Sequence, residues 1–357
     1  MKGKFDCIVD NSYNGVDRNI CNGTKVYKTL GAALEDAEIK EGSQYLILIK
    51  PGRYYEQLII DKPNIRLVGE GRDNTILTFD AASGTKKPDG SNYGTTGSAS
   101  ITVTGSDFQA ENLTFENGFD YRANEFKIAS DPSRISGSQA VALKTAKGSD
   151  RASFVKCRFL GFQDTLYTDA GTNYFKDCYI EGNVDFIFGA GQSFFEDCTI
   201  ASIGRAGSNN NGYVTAPSTL ISDKHGFIFY KCRLVKANDK TADNSVALGR
   251  PWHPTTAFPD GTRYANPNAV GSSIFINCYM DSHIKPEGWD KMSGKDRDGN
   301  TIWFMPDDIE HSRFFEFRST GPGAAKEPSS RRKLLSEEEA EEFIGIIKNI
   351  RNIQKEN

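Results

Sequence analysis

The sequence predicts an all-β chain that folds as a parallel β-helix, a solenoid in which short strands stack coil upon coil. Residues 153–159, 174–180 and 194–200 share one pattern of apolar residues around a cysteine, and these cysteines follow one another at steps of 21 and 20 residues. A near-constant period of about 20 residues, with one short strand in each repeat, is typical of a solenoid. Short apolar runs that end at turn residues, such as the run before Pro51 and Gly52, favour the same fold.

The first part of the chain contains a predicted cap and several predicted strands. Residues 24–40 include an alanine-rich stretch, which predicts an amphipathic helix that covers the N-terminal end of the solenoid. Strands are predicted at residues 45–49, 57–60, 65–68, 75–79, 101–104 and 112–115. Residues 81–99 and 116–137 lack periodicity and are predicted as long loops, which in a compact protein usually carry function.

The C-terminal part predicts one more strand and a helix. Residues 314–317 form an aromatic strand, and the segment from Ser336 to Glu339 is a capping box that opens a helix of roughly 15 residues. One face of this helix is apolar and should pack on the solenoid; it carries Phe343, Ile344, Ile347 and Ile350. We therefore expect residues 1–325 to form a single β-helix domain, with residues 326–357 as a helix and tail packed on it.

Charge and the length of apolar runs argue against two classes of partner. The chain has 357 residues and a formal net charge of −4, with no stripe of basic residues, which argues against nucleic-acid binding. It contains no run of 18 or more apolar residues, which argues against a membrane span. The first residues lack the long apolar segment of a signal peptide, so we expect either an intracellular protein or a secreted one whose signal has been removed.

The seven cysteines allow two interpretations. Five of them share the same place in the repeat, and adjacent coils would bring their Cα atoms within disulfide reach. We predict a Cys178–Cys198 disulfide, because two successive short repeats bring these residues together, and Cys7–Cys21 as a weaker second pair. The alternative is a stack of buried thiols, since cysteine packs well as a small apolar residue.

Two aspartates occupy equivalent places in the repeat. Asp164 and Asp185 each lie seven residues after the cysteine of their coil. If the coils stack in register, the two residues lie roughly 4.8 Å apart. Carboxylates that close do not both ionise easily, which would give an acid beside a base or nucleophile. A ladder of solvated aspartates is the alternative, but nearby aromatic residues favour a site; they are Phe162, Tyr167, Phe186 and Phe188.

Longer repeats after Cys198 predict the walls of a groove. Residues 212–219 and 248–254 lie in the added length and would project beside the aspartates. Arg205 follows Cys198 by seven residues, in line with both aspartates, and could bind a carboxylate of the substrate bidentately. A surface arginine is the equal alternative, and Arg263 is a second candidate for the same role.

Five blocks of the sequence, taken in order, resemble those of the pectin methylesterases of carbohydrate esterase family 8. The blocks are residues 52–56 (GRYYE), 139–143 (QAVAL), 163–167 (QDTLY), 185–189 (DFIFG) and 248–252 (LGRPW). The resemblance extends from about residue 25 to about residue 323, and residues 215–219 resemble the bacterial branch of the family. It implies a right-handed parallel β-helix and hydrolysis of the C6 methyl ester of galacturonate in pectin. It also implies that no metal or organic cofactor is used. We expect a secreted protein, on the grounds of this substrate and the possible disulfide, and a monomer.

The resemblance assigns a role to each site residue. Asp185 matches the nucleophile, Asp164 the general acid and base, Gln163 and Gln139 the oxyanion donors, and Arg250 the partner of the nucleophile. The substrate-binding candidates are Trp252, Tyr167, Phe188, Val184, Thr255, Met292, Arg205 and Arg263. Physical chemistry agrees with these roles: Arg250 would lower the pKa of Asp185, and an aromatic wall beside that charge would raise the pKa of Asp164.

Three alternative functions remain open from the sequence. A pectin lyase or polygalacturonase has the same fold, but a lyase usually needs clustered acids for Ca²⁺ and an arginine base, whereas these acids accompany glutamines. A β-helix esterase or thioesterase could act on another ester. A non-catalytic solenoid could bind carbohydrate without cleaving it. None of the four histidines lies in a nucleophile-elbow motif, so we expect surface or packing roles for all of them.

Overall fold

The computed structural model describes residues 5–205 and 210–356. These residues form two compact units, one up to Ile180 and one from Glu181 onward. In each unit, short parallel strands recur in three sheets, so that each coil contributes about one strand to every sheet. The parallel β-helix predicted from the sequence is therefore confirmed.

The first unit contains three parallel sheets. The first sheet consists of Asn19–Cys21, Thr24–Tyr27, Cys7–Val9, Tyr45–Ile49, Ile65–Gly69, Gln109–Glu111, Ala152–Val155 and Thr172–Lys176, of which only the first pair is antiparallel. The second consists of Gly52–Tyr55, Thr75–Phe79, Thr114–Asn117, Arg158–Leu160 and Tyr179–Gly182, the last of which crosses the boundary of the unit. The third consists of Leu58–Ile60, Ile101–Val103, Leu143–Thr145 and Leu166–Thr168.

Equivalent residues of successive coils stack in register inside the first unit. Ala110 pairs with Phe154, and Phe154 pairs in turn with Phe175. The rings of Phe154 and Phe175 are stacked with their centroids 4.9 Å apart, and both side chains are fully buried. Stacked aromatic rings add to the burial of apolar surface, so the repeat seen in the sequence becomes a continuous core.

The N-terminal helix is shorter than predicted. Helix α1 comprises Leu30–Glu35, whereas Thr24–Tyr27, expected within the helix, forms a strand beside Cys7–Val9. Thr29 caps α1 by accepting a hydrogen bond from the main-chain N–H of Ala32. The Glu56 carboxylate accepts two more, from the first N–H groups of the helix, so side chains of other coils fix where α1 begins.

The two predicted loops each contain a short helix. Helix α2 comprises Gly94–Gly97 and helix α3 comprises Tyr121–Phe126. Asp120 caps α3 by accepting a hydrogen bond from the N–H of Ala123. Tyr121 is buried, which fixes this second loop on the coils below it.

The second unit repeats the three sheets and adds two hairpins and a long helix. Its first sheet consists of Gln192–Glu196, Phe227–Tyr230, Ala269–Ile276, Ser312–Phe317 and Lys333–Leu334, with Thr219–Leu220 antiparallel to Ala269–Ile276. The second consists of Thr199–Ser202, Arg233–Lys236 and Tyr279–Met280, and the third of Ile187–Gly189, Gly212–Pro217 and Val246–Gly249. The hairpins are Thr255–Ala257 with Arg263–Ala265, and Met292–Lys295 with Thr301–Phe304.

Helix α4, Glu337–Glu356, is longer than the predicted 15 residues. Its capping box is confirmed: the Ser336 hydroxyl accepts from the N–H of Glu339, and the Glu339 carboxylate accepts from the N–H of Ser336. The apolar face lies against the second unit, where Phe343 contacts the ring of His225 with centroids 5.8 Å apart. No helix in the described part of the chain is long and apolar enough to span a membrane.

The predicted disulfides are wrong, because all seven cysteines are thiols. The five repeated cysteines lie at bends between strands and not within strands, as the residue before Cys178 shows with a φ of 54°. At such a bend the Cys178 thiol donates to the carbonyl of Phe154 in the preceding coil, at 3.3 Å. The second predicted pair, Cys7–Cys21, is likewise unbonded.

We expect thiol titration to find seven thiols in the unfolded, non-reduced protein and about one in the native protein. Cys21 is exposed, whereas the other six are buried. Burial raises the pKa of Cys7 and of Cys157 to about 12, so these thiols stay protonated and unreactive at pH 8. A count of five thiols after unfolding without reductant would contradict the structure. In the folded protein, Cys21→Ser should abolish the reaction with the thiol reagent.

A buried ion pair fixes the segment before helix α4. The guanidinium of Arg332 donates to both carboxylate oxygens of Glu316, at 2.7 and 2.6 Å, and to the carbonyl of Gly323 at 3.0 Å. The side chains of Arg332 and Glu316 are only 5% and 1% exposed. Charges removed from water this far are tolerated only when they are paired and hydrogen-bonded.

Two histidines, both predicted to have surface or packing roles, are buried in the second unit. Burial lowers the pKa of His253 and of His283 to about 4. Both nitrogens of His283 lack a hydrogen-bond partner in the described structure, and its side chain is fully buried. These two residues therefore pack as neutral rings.

The buried histidines predict a loss of stability in acid. Each has a pKa of about 4 in the folded chain and about 6.5 when unfolded. The unfolded chain therefore binds more protons between these values, and the free energy of unfolding should fall from pH 6.5 to pH 4, by at most about 3 kcal/mol per histidine. We expect His283→Leu to remove about half of this slope in urea unfolding series. If the free energy of unfolding of His283→Leu falls as steeply between pH 6.5 and pH 4 as that of the wild type, His283 is not a source of the acid sensitivity. Between pH 7 and 8 the free energy of unfolding should vary equally little with pH in both proteins.

Candidate active site

Asp164 and Asp185 adopt the same uncommon backbone conformation. Their φ angles are 64° and 50°, in the left-handed region that residues other than glycine seldom occupy. Each lies two residues before a strand of the third sheet in its unit, Leu166–Thr168 for Asp164 and Ile187–Gly189 for Asp185. Both are more than nine-tenths buried. Strained, buried carboxylates of this kind concentrate at functional sites.

In the first unit, the two predicted oxyanion donors belong to neighbouring coils. The main-chain N–H of Ala140 donates to the carbonyl of Gln163 at 3.0 Å, which sets Gln139 beside the segment that carries Gln163 and Asp164. Both glutamine side chains are half-buried. The Gln139 Oε1 atom is buried and accepts no hydrogen bond from any described residue, so this amide is free to bond to a group from outside the chain.

Tyr167 lies beside a buried lysine that the sequence analysis did not identify. The Lys144 ammonium is 4.4 Å from the centre of the Tyr167 ring and 3.2 Å from the carboxylate of Asp169. Burial, with the negative charges of Asp169 and Asp164, raises the pKa of Tyr167 well above its usual range. The tyrosine hydroxyl therefore stays protonated beside Asp164 and can donate a hydrogen bond.

Phe162 continues the aromatic wall of the first unit. Its ring is stacked on Tyr121 of helix α3 with centroids 5.0 Å apart, and the Arg122 guanidinium lies 5.5 Å from its centre. The second long loop thus reaches the segment that holds Asp164. This contact was not predictable from the sequence, because Tyr121 lies 41 residues before Phe162 in a stretch without periodicity.

In the second unit, Arg250 binds Asp185 through two parallel hydrogen bonds. Nε of Arg250 is 2.9 Å from Oδ1 of Asp185, and Nη2 is 2.6 Å from Oδ2. This bidentate geometry fixes the orientation of the carboxylate and balances its charge. The arginine itself is held by Tyr213, whose ring centre is 3.9 Å from the guanidinium carbon. Tyr213 is a further residue that the sequence analysis missed.

A glycine sets the position of Arg250. Gly249 ends the strand Val246–Gly249, and a Cβ atom at this position would lie 2.1 Å from Oγ1 of Thr215 on the neighbouring strand. The close approach of the two strands requires glycine here. It directs the next residue, Arg250, toward Asp185.

Three of the predicted substrate-binding residues lie near this ion pair in the chain. Phe188 and Trp252 form a tilted pair with ring centroids 5.8 Å apart, and Val184, next to Asp185, is only 7% exposed. Trp252 is half-buried, as a platform for a sugar ring would be. Phe186, expected beside the acids, is instead fully buried in the core.

The other four candidates are more dispersed. Thr255 and Arg263 are exposed on opposite strands of the first hairpin, and Met292 opens the second hairpin opposite Phe304. Arg205 donates through its guanidinium to the carbonyl of Asn210 and through its main chain to Oδ1 of Asn211. That these residues bind substrate stays a prediction, as does the action of Asp164 and Asp185 as a pair.

The described residues contain no group of three or more histidine, cysteine, aspartate or glutamate side chains arranged to hold a metal ion. The first unit offers a carboxylate and two side-chain amides, at Asp164, Gln163 and Gln139, and the second offers the carboxylate of Asp185 paired with Arg250. These suit attack of a carboxylate on an ester carbonyl, with charge on the oxygen stabilised by hydrogen bonds.

Comparisons with known proteins all identify pectinesterases as similar to this chain. A family model described as Pectinesterase matches residues 20–344. Pectinesterase A of Dickeya chrysanthemi is 46% identical over 335 residues, which cover 93% of this chain and 89% of the relative. Probable pectinesterase 8 of Arabidopsis thaliana is 34% identical over 322 residues, covering 88% of this chain and 68% of the relative.

Solved structures agree with these sequence matches. Pectin methylesterase PemA from Erwinia chrysanthemi superimposes with a TM-score of 0.88 at 46% identity, and 96% of each chain is covered. A pectin methylesterase in complex with a hexasaccharide gives a TM-score of 0.87 at 45% identity, again with 96% of each chain covered.

Proposed function

Since the chain belongs to the pectinesterase family, we propose that it hydrolyses the C6 methyl ester of galacturonate units in pectin, giving pectate and methanol, with Asp185 as nucleophile. The observation that carries this proposal is the bidentate hydrogen bonding of Asp185 by Arg250, on a strained and buried backbone. Arg250 holds the carboxylate in one orientation, as a nucleophile requires.

The proposed reaction has two halves. In the first, a carboxylate oxygen of Asp185 attacks the ester carbonyl, and the amide groups of Gln139 and Gln163 donate to the oxyanion that forms. The tetrahedral intermediate then expels the methoxy group, which takes a proton from Asp164 and leaves as methanol. In the second half, water attacks the acyl-enzyme, Asp164 takes a proton from this water, and galacturonate and the Asp185 carboxylate are released.

Several features of the first unit support the role of Asp164. The residue is 8% exposed, and Tyr167 beside it keeps its hydroxyl proton. A buried carboxyl group among aromatic rings is disfavoured as an ion and so can hold the proton that the leaving group needs. The pairing with Asp185 is supported by the repeat, because the two residues stand at the same place in successive coils.

We further propose that the protein acts outside the cell as a monomer. Its proposed substrate, methylated homogalacturonan, is a polymer too large to enter a cell intact. All the proposed catalytic groups come from one chain, so the chemistry requires no second subunit. Trp252, which is half-buried, is proposed to stack on a sugar ring, and the largely buried Phe188 and Tyr167 are proposed to border the site.

The test of the function is methanol release from highly methylated pectin in the presence of EDTA. We expect methanol and no unsaturated product from the wild-type protein. An unsaturated product would indicate a lyase. If no methanol appears, the esterase proposal for pectin fails, and small acyl esters and thioesters would show whether the site acts on another ester.

Loss of an oxyanion donor should lower kcat more than it changes KM. Gln163→Leu keeps the size of the side chain and removes the amide, and we expect a decrease in kcat of about 10²- to 10³-fold, because the donor acts mainly in the transition state. Gln109→Leu, which alters another half-buried glutamine of the first unit, should leave both constants unchanged. An effect of Gln163→Leu on KM alone would assign the residue to substrate binding.

A further inference from the structure

The second hairpin of the second unit has two chemically different faces. Its strands, Met292–Lys295 and Thr301–Phe304, pair in antiparallel register. Alternate residues are therefore on opposite faces. The inner face carries Met292, Gly294, Ile302 and Phe304, and none of these is fully exposed. The outer face, with the residue before the first strand, carries Lys291, Ser293, Lys295, Thr301 and Trp303, and all of them are exposed.

The inner face anchors the hairpin. Phe304 is 6% exposed, and its ring is stacked on His253 with centroids 3.6 Å apart. Ile302 lines a cavity of about 550 Å³ together with Tyr264 and Val270. These contacts anchor the hairpin through its inner face, whereas the residues of the outer face are exposed.

The outer face combines an aromatic ring with cations and hydroxyl groups. Trp303 is 50% exposed, and the Lys291 ammonium lies 4.2 Å from the centre of its ring. Lys295 donates to the hydroxyl of Thr301 at 2.8 Å. Lys295 lies four residues after Lys291, which places their backbones about 13 Å apart in extended chain. That separation suits successive charges along an extended polymer better than one small anion.

The two lysines of this face are not engaged in ion pairs by its acidic neighbours among the described residues. Neither Lys291 nor Lys295 is within 4.0 Å of a carboxylate among the residues that the structure describes. Asp290, next to Lys291, has its carboxylate 3.6 Å from Lys285. Asp296, at the turn of the hairpin, accepts hydrogen bonds from the N–H groups of Asp298 and Asn300. The two lysines are the only charged side chains on the outer face, whereas Asp290 precedes it and Asp296 and Asp298 lie at the turn.

We propose that this outer face, formed by Lys291, Ser293, Lys295, Thr301 and Trp303, binds demethylated stretches of homogalacturonan. A sugar ring stacks on Trp303, its carboxylate pairs with Lys291, and a carboxylate farther along the polymer pairs with Lys295. This inference rests on the proposed function, because the polyanion it binds is the product of that reaction. Binding at the hairpin would keep the enzyme on a polymer whose next ester is close by.

The experiment compares binding of the intact protein to polygalacturonate by affinity electrophoresis at low and high salt. We expect Trp303→Ala and the double change Lys291→Ala with Lys295→Ala each to weaken binding about five- to tenfold, and Trp303→Phe to have a smaller effect. The loss in the lysine variant should disappear at 1 M salt, where charges are screened beyond about 3 Å. The control is Lys231→Ala, an exposed lysine that lies 5.0 Å from the ring centre of Tyr230.

Two outcomes would overturn the inference. Wild-type affinity in both hairpin variants would show that the face does not bind the polymer. Equal weakening toward fully methylated pectin and polygalacturonate, with no effect of the lysines, would show that it binds sugar rings without regard to charge.

A separate measurement distinguishes a failure of this inference from a failure of the proposed function. A short, fully methylated oligogalacturonide has no carboxylate that could bind the lysines. All hairpin variants should therefore release methanol from it with the kcat/KM of the wild type. If the wild type releases no methanol from this oligomer, the proposed function fails, whereas the binding result for polygalacturonate stands by itself.

Discussion

Asp185→Asn is expected to lower kcat for methanol release by at least about 10⁴-fold, which corresponds to about 5.5 kcal/mol of activation free energy. Asparagine has nearly the same shape, but its amide lacks the negative charge and the nucleophilic oxygen of the carboxylate. The bidentate contact with Arg250, at 2.9 and 2.6 Å, would lose one acceptor. Methanol measured with highly methylated pectin, in single and multiple turnover, would reveal both the rate and any acyl-enzyme.

Asp177→Asn is the matched control for this change. Asp177 has a φ of 54°, close to the 50° of Asp185, but it is exposed and lies at the bend before Cys178. The same substitution there tests the backbone effect without touching the site, and kcat should not change. Equal methanol from wild type and Asp185→Asn would mean that the aspartates are a structural ladder and that the reaction occurs elsewhere.

Arg332→Met is expected to reduce the free energy of unfolding by about 3–5 kcal/mol, because it leaves Glu316 as an unpaired charge in the core. The Glu316 side chain is 1% exposed, so water cannot replace the lost guanidinium. The double variant Glu316→Leu with Arg332→Met removes both charges and should recover most of the loss. Urea unfolding at pH 7 would measure all three proteins, and kcat should stay at the wild-type value in each.

Arg318→Met provides the comparison for Arg332→Met. Arg318 and Glu337 also form an ion pair, at 2.8 Å, but their side chains are 64% and 62% exposed. An exposed pair contributes less than about 1 kcal/mol. If Arg318→Met and Arg332→Met cost the same, burial would not be the source of the effect.

The sequence was sufficient for the fold because its repeat has a direct physical cause. Coils that stack in register place like residues together, so the recurrence of an apolar strand every 20 or so residues reports the stacking itself. The same repeat led to the wrong prediction that the cysteines lie within strands. A cysteine beside apolar residues suggests a strand, whereas the left-handed residue before each one, such as Asp177, makes a bend that only dihedral angles reveal.

The catalytic candidates were predictable, and their supporting residues were not. Asp185 and Arg250 are 65 residues apart, yet each stands in a recognisable block, and the structure joins them. Tyr213, which stacks on Arg250, and Lys144, which lies over Tyr167, stand in no such motif. Their positions depend on where loops of variable length return to the coils. Helix α1 shows the same limit, since Glu56 from another coil caps it.

The last coil of the second unit has consequences for self-association. Its edge strands, Tyr279–Met280 and Lys333–Leu334, are only two residues long, and the Arg332–Glu316 pair holds the second of them in place. A long open edge on a stack of parallel strands is a template onto which another molecule can add its own first coil. Brief terminal strands remove that template. A chain shortened before residue 326 would expose Ser312–Phe317, six residues of aromatic strand, and would be prone to grow end to end into filaments.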